Sequence, residues 1–439
     1  LRDPLAILAD DAGGGVVARD GRIIEIVPAG KQPAIPVDVV FDARRHVLLP
    51  GLINTHHHFY QTLTRAHPAA IGKKLFDWLE ALYPIWAKVT PDALDGAATV
   101  AMAELLLSGC TTTTDHHYIF PAGLEDGLAI EAAAARRLGI RAVLTRGSMN
   151  RSRRDGGLPP DEVVQDRDTI LADSADVIAR FHDPSPMAML QIALAPCSPF
   201  SVTTALMCET AALAERTGVR LHTHLAETAD EDQYCRAVYG RAPLDYLEDC
   251  GWLHDRTWLA HGIHFNDEDI PRLGRAGVGI AHCPCSNQAL ASGHCRVCEL
   301  ESSGVPVGLG VDGSASNDSS NLMQEVRAAF LIQRARYGAD AVGHLDTLRW
   351  ATEGSAACIG RPELGRIAVG GVADFALFTL DELRFSGAGD PIAALVLCGA
   401  HRADRVMVGG RWVVEDGAIP GLDLGALMHR HNTAARALI

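Results

Sequence analysis

The chain has 439 residues, 48% hydrophobic and 21% charged, with a formal net charge of -15 at pH 7 and a pI near 5.6. That is an ordinary globular balance, long enough for one large domain with a small satellite or for two domains. An acidic chain without a Lys/Arg-rich run argues against gripping phosphate backbones, so a substrate related to nucleic acid would be a free base and not a polymer.

The eleven cysteines are odd in number and scattered, which argues against a disulfide framework and for a reducing cytoplasm. No run of about twenty apolar residues suggests a membrane span. The opening LRDPLAILADD lacks the basic-then-apolar order of a signal peptide.

Residues 1–47 read as short β segments broken by turns, such as VVARDGRIIEIV around Asp20-Gly21. From Leu48 the texture changes. The β-rich runs LLPGLINTH, CTTTTDHH, IRAVLTRGS, MLQIALAPCS, VRLHTHLAE, TWLAHGIHF, VGIAHCPCS and VPVGLGVDG alternate with Ala/Leu-rich helical stretches. One such stretch, PDALDGAATVAMAELLLSG, starts after Thr90 at Pro91 and stops at Gly109, good helix punctuation. About eight strand–helix units over 48–365 predict a parallel α/β (β/α)8 barrel. After a helix near Thr347–Cys358, short strands return in ADFALFTL, DRVMVGG and RWVVEDG. Residues 1–47 and 366–420 are therefore expected to join in one small β-sandwich domain, with 421–439 as a helical tail. The alternative is two separate edge decorations.

In such a barrel, functional side chains sit at the C-terminal strand ends. The first strand ends in LINTHHHFYQ. A strand turns successive side chains to opposite faces, so His56 and His58 point one way and His57 the other. His-x-His is then either a two-ligand metal clip or part of a His-rich loop. The other strand ends weigh on the choice: His222, His224 and Glu227 on the fifth, His261 and His264 on the sixth, His282 on the seventh, Asp312 on the eighth. Ionisable groups at five strand ends point to one shared site.

A catalytic zinc keeps one position for water beside its protein ligands. His56, His58, one histidine of strand five and Asp312 would leave that position open, and the metal would lower the pKa of its water toward ~7. Glu227 is placed to carry protons, and His261 to orient the nucleophile or stabilise charge. Strand four, MLQIALAPCS, has no lysine to bridge two metals, which favours a mononuclear site.

Taken together, PGLINTHHHFYQ, HTHLAET, LAHGIHF, AHCPCSN and GVDGSASND resemble the amidohydrolase superfamily, and within it the cytosine/guanine deaminase-like branch. The resemblance covers essentially the whole chain. It implies His56, His58, His224 and Asp312 as ligands of one zinc (iron being the alternative), Glu227 as proton shuttle and His261 as a catalytic histidine. His282 matches a histidine that either contacts substrate or is structural, while His57, His222 and His264 have no ligand role. Relatives of this kind are often homo-oligomers.

HHHFYQTLTRA, APCSPFSV and DGSASNDSSNL look most like the 8-oxoguanine deaminases. That implies hydrolytic deamination to uric acid and ammonia, Glu227 protonating the ring and Asp312 taking the water proton. Gln61 would pair with the base edge; the alternative is a solvent-facing helix-start glutamine. Cys197 would sit by the 8-oxo position, or is a buried packing residue. Arg146 and Trp86 are further lining candidates.

Rival readings are weaker. Cys283-Pro-Cys285 with His294, Cys295 and Cys298 is not the usual zinc-knuckle pair. The His-x-Glu with Pro-Cys-x-x-Cys of the other zinc deaminases is absent. Gly308-Leu-Gly310-Val-Asp-Gly313 matches a dinucleotide fingerprint, but late in the chain and with Asp312 where pyrophosphate would approach. That makes an NAD-dependent oxidoreductase a remote alternative. Inside the fold, guanine or isocytosine deamination and triazine hydrolysis stay open.

Overall fold

The structure, a computed structural model, describes residues 1–439. Eight parallel strands form the barrel: β1 (Leu52–Asn54), β2 (Cys110–His117), β3 (Arg141–Ser148), β4 (Leu190–Pro196), β5 (Arg220–Leu225), β6 (Thr257–His261), β7 (Gly279–His282) and β8 (Val307–Leu309). Each pairs with its neighbour in sequence. Between β8 and β1, Thr55 N–H donates to the Leu309 carbonyl at 2.9 Å and Asp312 N–H to the His56 carbonyl at 3.0 Å, which closes the ring.

The eight residues of β2 and of β3 are buried throughout, as parallel strands covered on both faces must be. Alternate side chains therefore choose between the lumen and the surrounding helices. The covering helices obey local rules. In helix Pro91–Leu107, Thr90 accepts the Ala93 N–H and Pro91 occupies the first turn. Helix Gly127–Leu138 ends on Gly139, whose φ of 72° is the left-handed cap that glycine adopts without strain.

Both chain ends meet in a five-stranded sheet. Its spatial order is Ala6–Ile7, His46–Pro50, Phe375–Thr379, Arg405–Val408, Arg411–Val414. A hairpin of Gly15–Arg19 and Arg22–Val27 forms a separate sheet, with Val16 and Ile23 packed against Leu48, Phe375 and Leu377 of the five-stranded one. The run LLPGLINTH, expected as one barrel strand, is divided. His46–Pro50 pairs antiparallel with Phe375–Thr379, and only Leu52–Asn54 joins β2. Asp374 ties the two units together by pairing with the buried Arg141 of β3 at 3.2 Å and accepting Gly409 N–H at 2.6 Å.

Helix Leu424–Leu438 returns to the barrel, where His431 Nε2 lies 3.0 Å from Thr62 Oγ1. An aromatic cluster including Tyr60, Trp78, Tyr83, Trp86, Tyr118 and Phe200 caps the C-terminal mouth. No helix is long and apolar enough to cross a membrane.

Candidate active site

The C-terminal ends of β1, β5 and β8 converge. His58 Nε2 lies 3.2 Å from His224 Nε2 and 3.4 Å from Asp312 Oδ1, and His56 Nε2 lies 3.3 Å from the same oxygen. The tautomers follow from the acceptors behind each ring. His58 Nδ1–H donates to the His116 carbonyl at 2.7 Å, and His224 Nδ1–H to the Cys197 carbonyl at 2.7 Å. His222 Nδ1–H donates to the Trp258 carbonyl at 2.9 Å, so its Nε2 must accept, and it receives the Nδ1–H of His56 at 2.8 Å.

All three rings thus present Nε2 lone pairs to one point beside a carboxylate. Lone pairs facing at 3.2 Å repel unless a cation lies between them, and His56 Nε2 has no hydrogen-bond partner. Metal–ligand bonds of about 2.0–2.1 Å in a tetrahedron would put donors roughly 3.3 Å apart. The donor set therefore fits a zinc-like cation. Burial holds His56 and His224 well below the usual imidazole range, which suits neutral ligands. Burial alone would raise Asp312, but the adjoining His56 and His58 hold it well below the carboxylate range.

A second pair faces this cluster. His261 Nε2 lies 3.6 Å from Glu227 Oε2 and 3.9 Å from Asp312 Oδ2. Its Nδ1–H donates to Asn287 Oδ1 at 2.9 Å, leaving Nε2 to the cavity. Burial, then the nearby Asp312, push the Glu227 carboxyl well above its usual range, which favours its acid form. The buried Glu231 accepts Ala226 N–H at 3.0 Å and Glu227 N–H at 2.9 Å, fixing the turn that aims Glu227. Ser286 and Ser316 donate to Asp312 Oδ2 at 2.6 and 3.1 Å. Ala226, His261 and Asp312 have φ of 54°, 72° and 62°, left-handed conformations that cost non-glycine residues ~1–3 kcal/mol each. Such strain collects where side chains must be aimed.

His58, His224, Glu227, His261 and Asp312 line one slot with Gln61 and Cys197, roofed by Trp78, Tyr83, Tyr118, Phe200 and Leu290. Gln61 Oε1 is buried without a partner. Burial pushes the Cys197 thiol up to about 12, so it is neutral. His282 does not reach the slot; its Nε2 accepts from Gln333 Nε2 at 3.2 Å, because β7 directs it to helix Leu322–Tyr337. Trp86 donates to Thr64 and Arg146 pairs with Asp173, both outside the slot. His57 meets Ser320 at 2.9 Å and His264 meets the Ser292 carbonyl at 2.8 Å.

Cys283 and Cys295 contact separate carbonyls, and no cysteine belongs to any metal-competent group. The glycines of GLGVDG serve packing instead of a dinucleotide. A Cβ on Gly310 would lie 2.8 Å from His56 Cβ, and one on Gly313 1.9 Å from Gln61 Oε1.

Sequence reasoning placed His222 at the strand-five end without a ligand role but did not read its hold on His56, and it missed His116, Glu231, Asn287, Ser286 and Ser316. For His222 a signal existed: at two residues from His224 on one strand it shares the lumen face. Glu231 and Asn287 act through backbone or ring contacts between separate elements, which no spacing reveals.

Comparison with known proteins agrees with this geometry. Residues 47–413 match the amidohydrolase family. The chain is 59% identical to an 8-oxoguanine deaminase of Pseudomonas aeruginosa, covering 100% of this chain and 98% of that one. It is 37% identical to a hydroxydechloroatrazine ethylaminohydrolase of Pseudomonas sp. strain ADP, covering 94% and 88%. The zinc complex of atrazine chlorohydrolase TrzN from Arthrobacter aurescens TC1 superposes with a TM-score of 0.92 at 32% identity, covering 99% of both chains. The chain belongs to the amidohydrolase family, and with it to the metal-dependent hydrolases.

Proposed function

We propose that this enzyme hydrolytically deaminates a free amino-purine, with 8-oxoguanine converted to uric acid and ammonia. His56, His58, His224 and Asp312 would hold one catalytic zinc. Bound there, the metal supplies acidity to a water, lowering its pKa toward ~7.

The chain's own groups do the rest. Asp312 takes the proton released from water and later gives it to the departing amine. Glu227 delivers its proton to the ring nitrogen beside the amino-bearing carbon, making that carbon electrophilic, and takes one back from the added hydroxyl as the carbonyl forms. His261, its Nδ1–H held by Asn287, turns its Nε2 to the slot, where it accepts a hydrogen bond from the attacking water and orients it. Gln61 both donates and accepts, matching a base edge, and the neutral Cys197 lines the same slot. The aromatic roof excludes water from these transfers.

The observation that carries the deaminase reading is the Glu227 carboxyl, set in the slot beside the His/Asp cluster and 3.6 Å from His261, where a proton donor to a ring nitrogen is needed. Ammonia leaves a ring only with protonation, whereas chloride leaves without it. Likeness to the Pseudomonas aeruginosa enzyme selects 8-oxoguanine among amino-purines.

The test is ammonia release by zinc-loaded protein from 8-oxoguanine, guanine, isocytosine and cytosine, with chloride release from a chlorotriazine in parallel. The expected result is fastest turnover of 8-oxoguanine, with Glu227→Gln losing at least about 100-fold while retaining its metal. Chloride release without ammonia from any base would replace deamination by triazine hydrolysis.

A further inference from the structure

A second cluster of ligating groups lies outside the barrel lumen. The alternation of β2 sends His116 inward and its neighbours Asp115 and His117 outward, beneath helix Gly127–Leu138, which contributes Glu131. All three side chains are fully buried. One donor atom from each lies within 4.8 Å of the others. His117 Nδ1 approaches Glu131 Oε1 to 3.0 Å, yet neither atom has hydrogen-bond alignment with any partner. Asp115 Oδ2, His117 Nε2 and Glu131 Oε2 are likewise buried and unpartnered. The only ion-pair contact of either carboxylate is His117; the nearby Arg146 is committed to Asp173.

We propose that Asp115, His117 and Glu131 bind a divalent first-row cation, zinc or manganese, separate from the catalytic metal. Two buried carboxylates without a cationic side chain need either protons or a doubly charged ion to balance them. A nitrogen and an oxygen 3.0 Å apart without hydrogen-bond alignment are spaced as neighbouring donors on one ion, since bonds of about 2.1 Å put donors roughly 3.0–3.4 Å apart. One imidazole and two carboxylates suit such metals better than calcium, which takes oxygen ligands. The space is shaped for the histidine too: a Cβ on Gly127 would stand 2.7 Å from His117 Nε2.

The ion's role is structural. Asp115 Oδ1 accepts the N–H of Phe59 at 2.6 Å, directly after the ligand His58. An ion here would therefore lock β2, the covering helix and the His58 segment into one unit.

The test counts metal. Full-length protein is loaded with Zn2+ or Mn2+, desalted and analysed by plasma mass spectrometry. The expected result is two ions per chain in the wild type. One ion is expected in Glu131→Gln, and one in a His56→Ala/His58→Ala variant that loses only the catalytic ion. In that double variant, added metal should still raise Tm, and chelator should reverse the rise. One ion in the wild type and none in the double variant would overturn the proposal and leave the cluster balanced by protons. The double variant leaves the cluster intact, so it decides the matter even where Glu131→Gln does not fold.

Discussion

At the far end of the relay from Trp258 through His222 to His56, a carbonyl can only accept. Every ring on the relay must therefore orient its N–H toward Trp258, and His56 is left with a free Nε2 aimed at the metal point. His222→Phe keeps a flat ring against Trp258, where the rings now stack at 4.4 Å and 15°, but deletes the acceptor. Metal affinity should fall roughly 10–100-fold, as for other lost ligand-orienting partners. Chelator competition measures it, and unchanged affinity would remove the relay from the account. The sequence made the ligand candidates visible because each sits at a strand end with unusual chemistry. The relay was hidden because its meaning lies in which nitrogen carries the proton, set by a carbonyl on the next strand.

Elements were readable where their punctuation is local, and misread where burial is continuous. Pro91, Thr90 and Gly109 bound one helix as written. In LLPGLINTH the strands on both sides of Gly51 are wholly buried, so no polar alternation marks the switch from the flanking sheet to the barrel. The switch is steric: a Cβ at position 51 would lie 2.2 Å from Thr111 Oγ1. Gly313 is the counterpart at the site, where the turn after β8 meets the 3-10 helix Phe59–Thr64 carrying Gln61. In Gly313→Ala the group that must yield is the tip of the flexible Gln61 side chain, so the fold should survive and the amide should swing out of the slot. An amide that makes two hydrogen bonds to a base is worth about 2 kcal/mol, so KM should rise roughly thirtyfold while kcat changes less. Gln61→Ala should give the same KM. A normal KM in both variants would mean that Gln61 does not meet the substrate.

The barrel architecture follows from the chain-long alternation of strand and helix patterns, but the whole molecule also buries charge chemistry that no pattern displays. That chemistry predicts how stability depends on pH. Burial pushes His57, His222 and His282 down to about 3 and His431 down to about 4, from an ordinary value of 6.5. Burial pushes Glu231 up to about 8 and Glu325 up to about 7, from 4.5. Below about pH 6.5 the unfolded chain takes up protons that the buried histidines refuse, so stability falls as pH drops. Between about 4.5 and 8 the folded chain keeps carboxyl protons that the unfolded chain has released, so stability falls as pH rises. From about 4.5 to 6.5 the two effects oppose each other, and among these six groups, which lie outside the two metal clusters and the proton shuttle, the four histidines outweigh the two carboxyls. Above about 7 the carboxyls dominate, Glu325 being half ionised near pH 7 and Glu231 near pH 8. Tm of the metal-loaded protein, followed by calorimetry at constant ionic strength, should therefore peak between about pH 6 and 7. A Tm still climbing at pH 8 would mean that Glu231 and Glu325 are ionised in the folded protein. The N–H groups of Ala226 and Glu227 would then hold Glu231 as a carboxylate, and the shuttle turn would be anchored by charge.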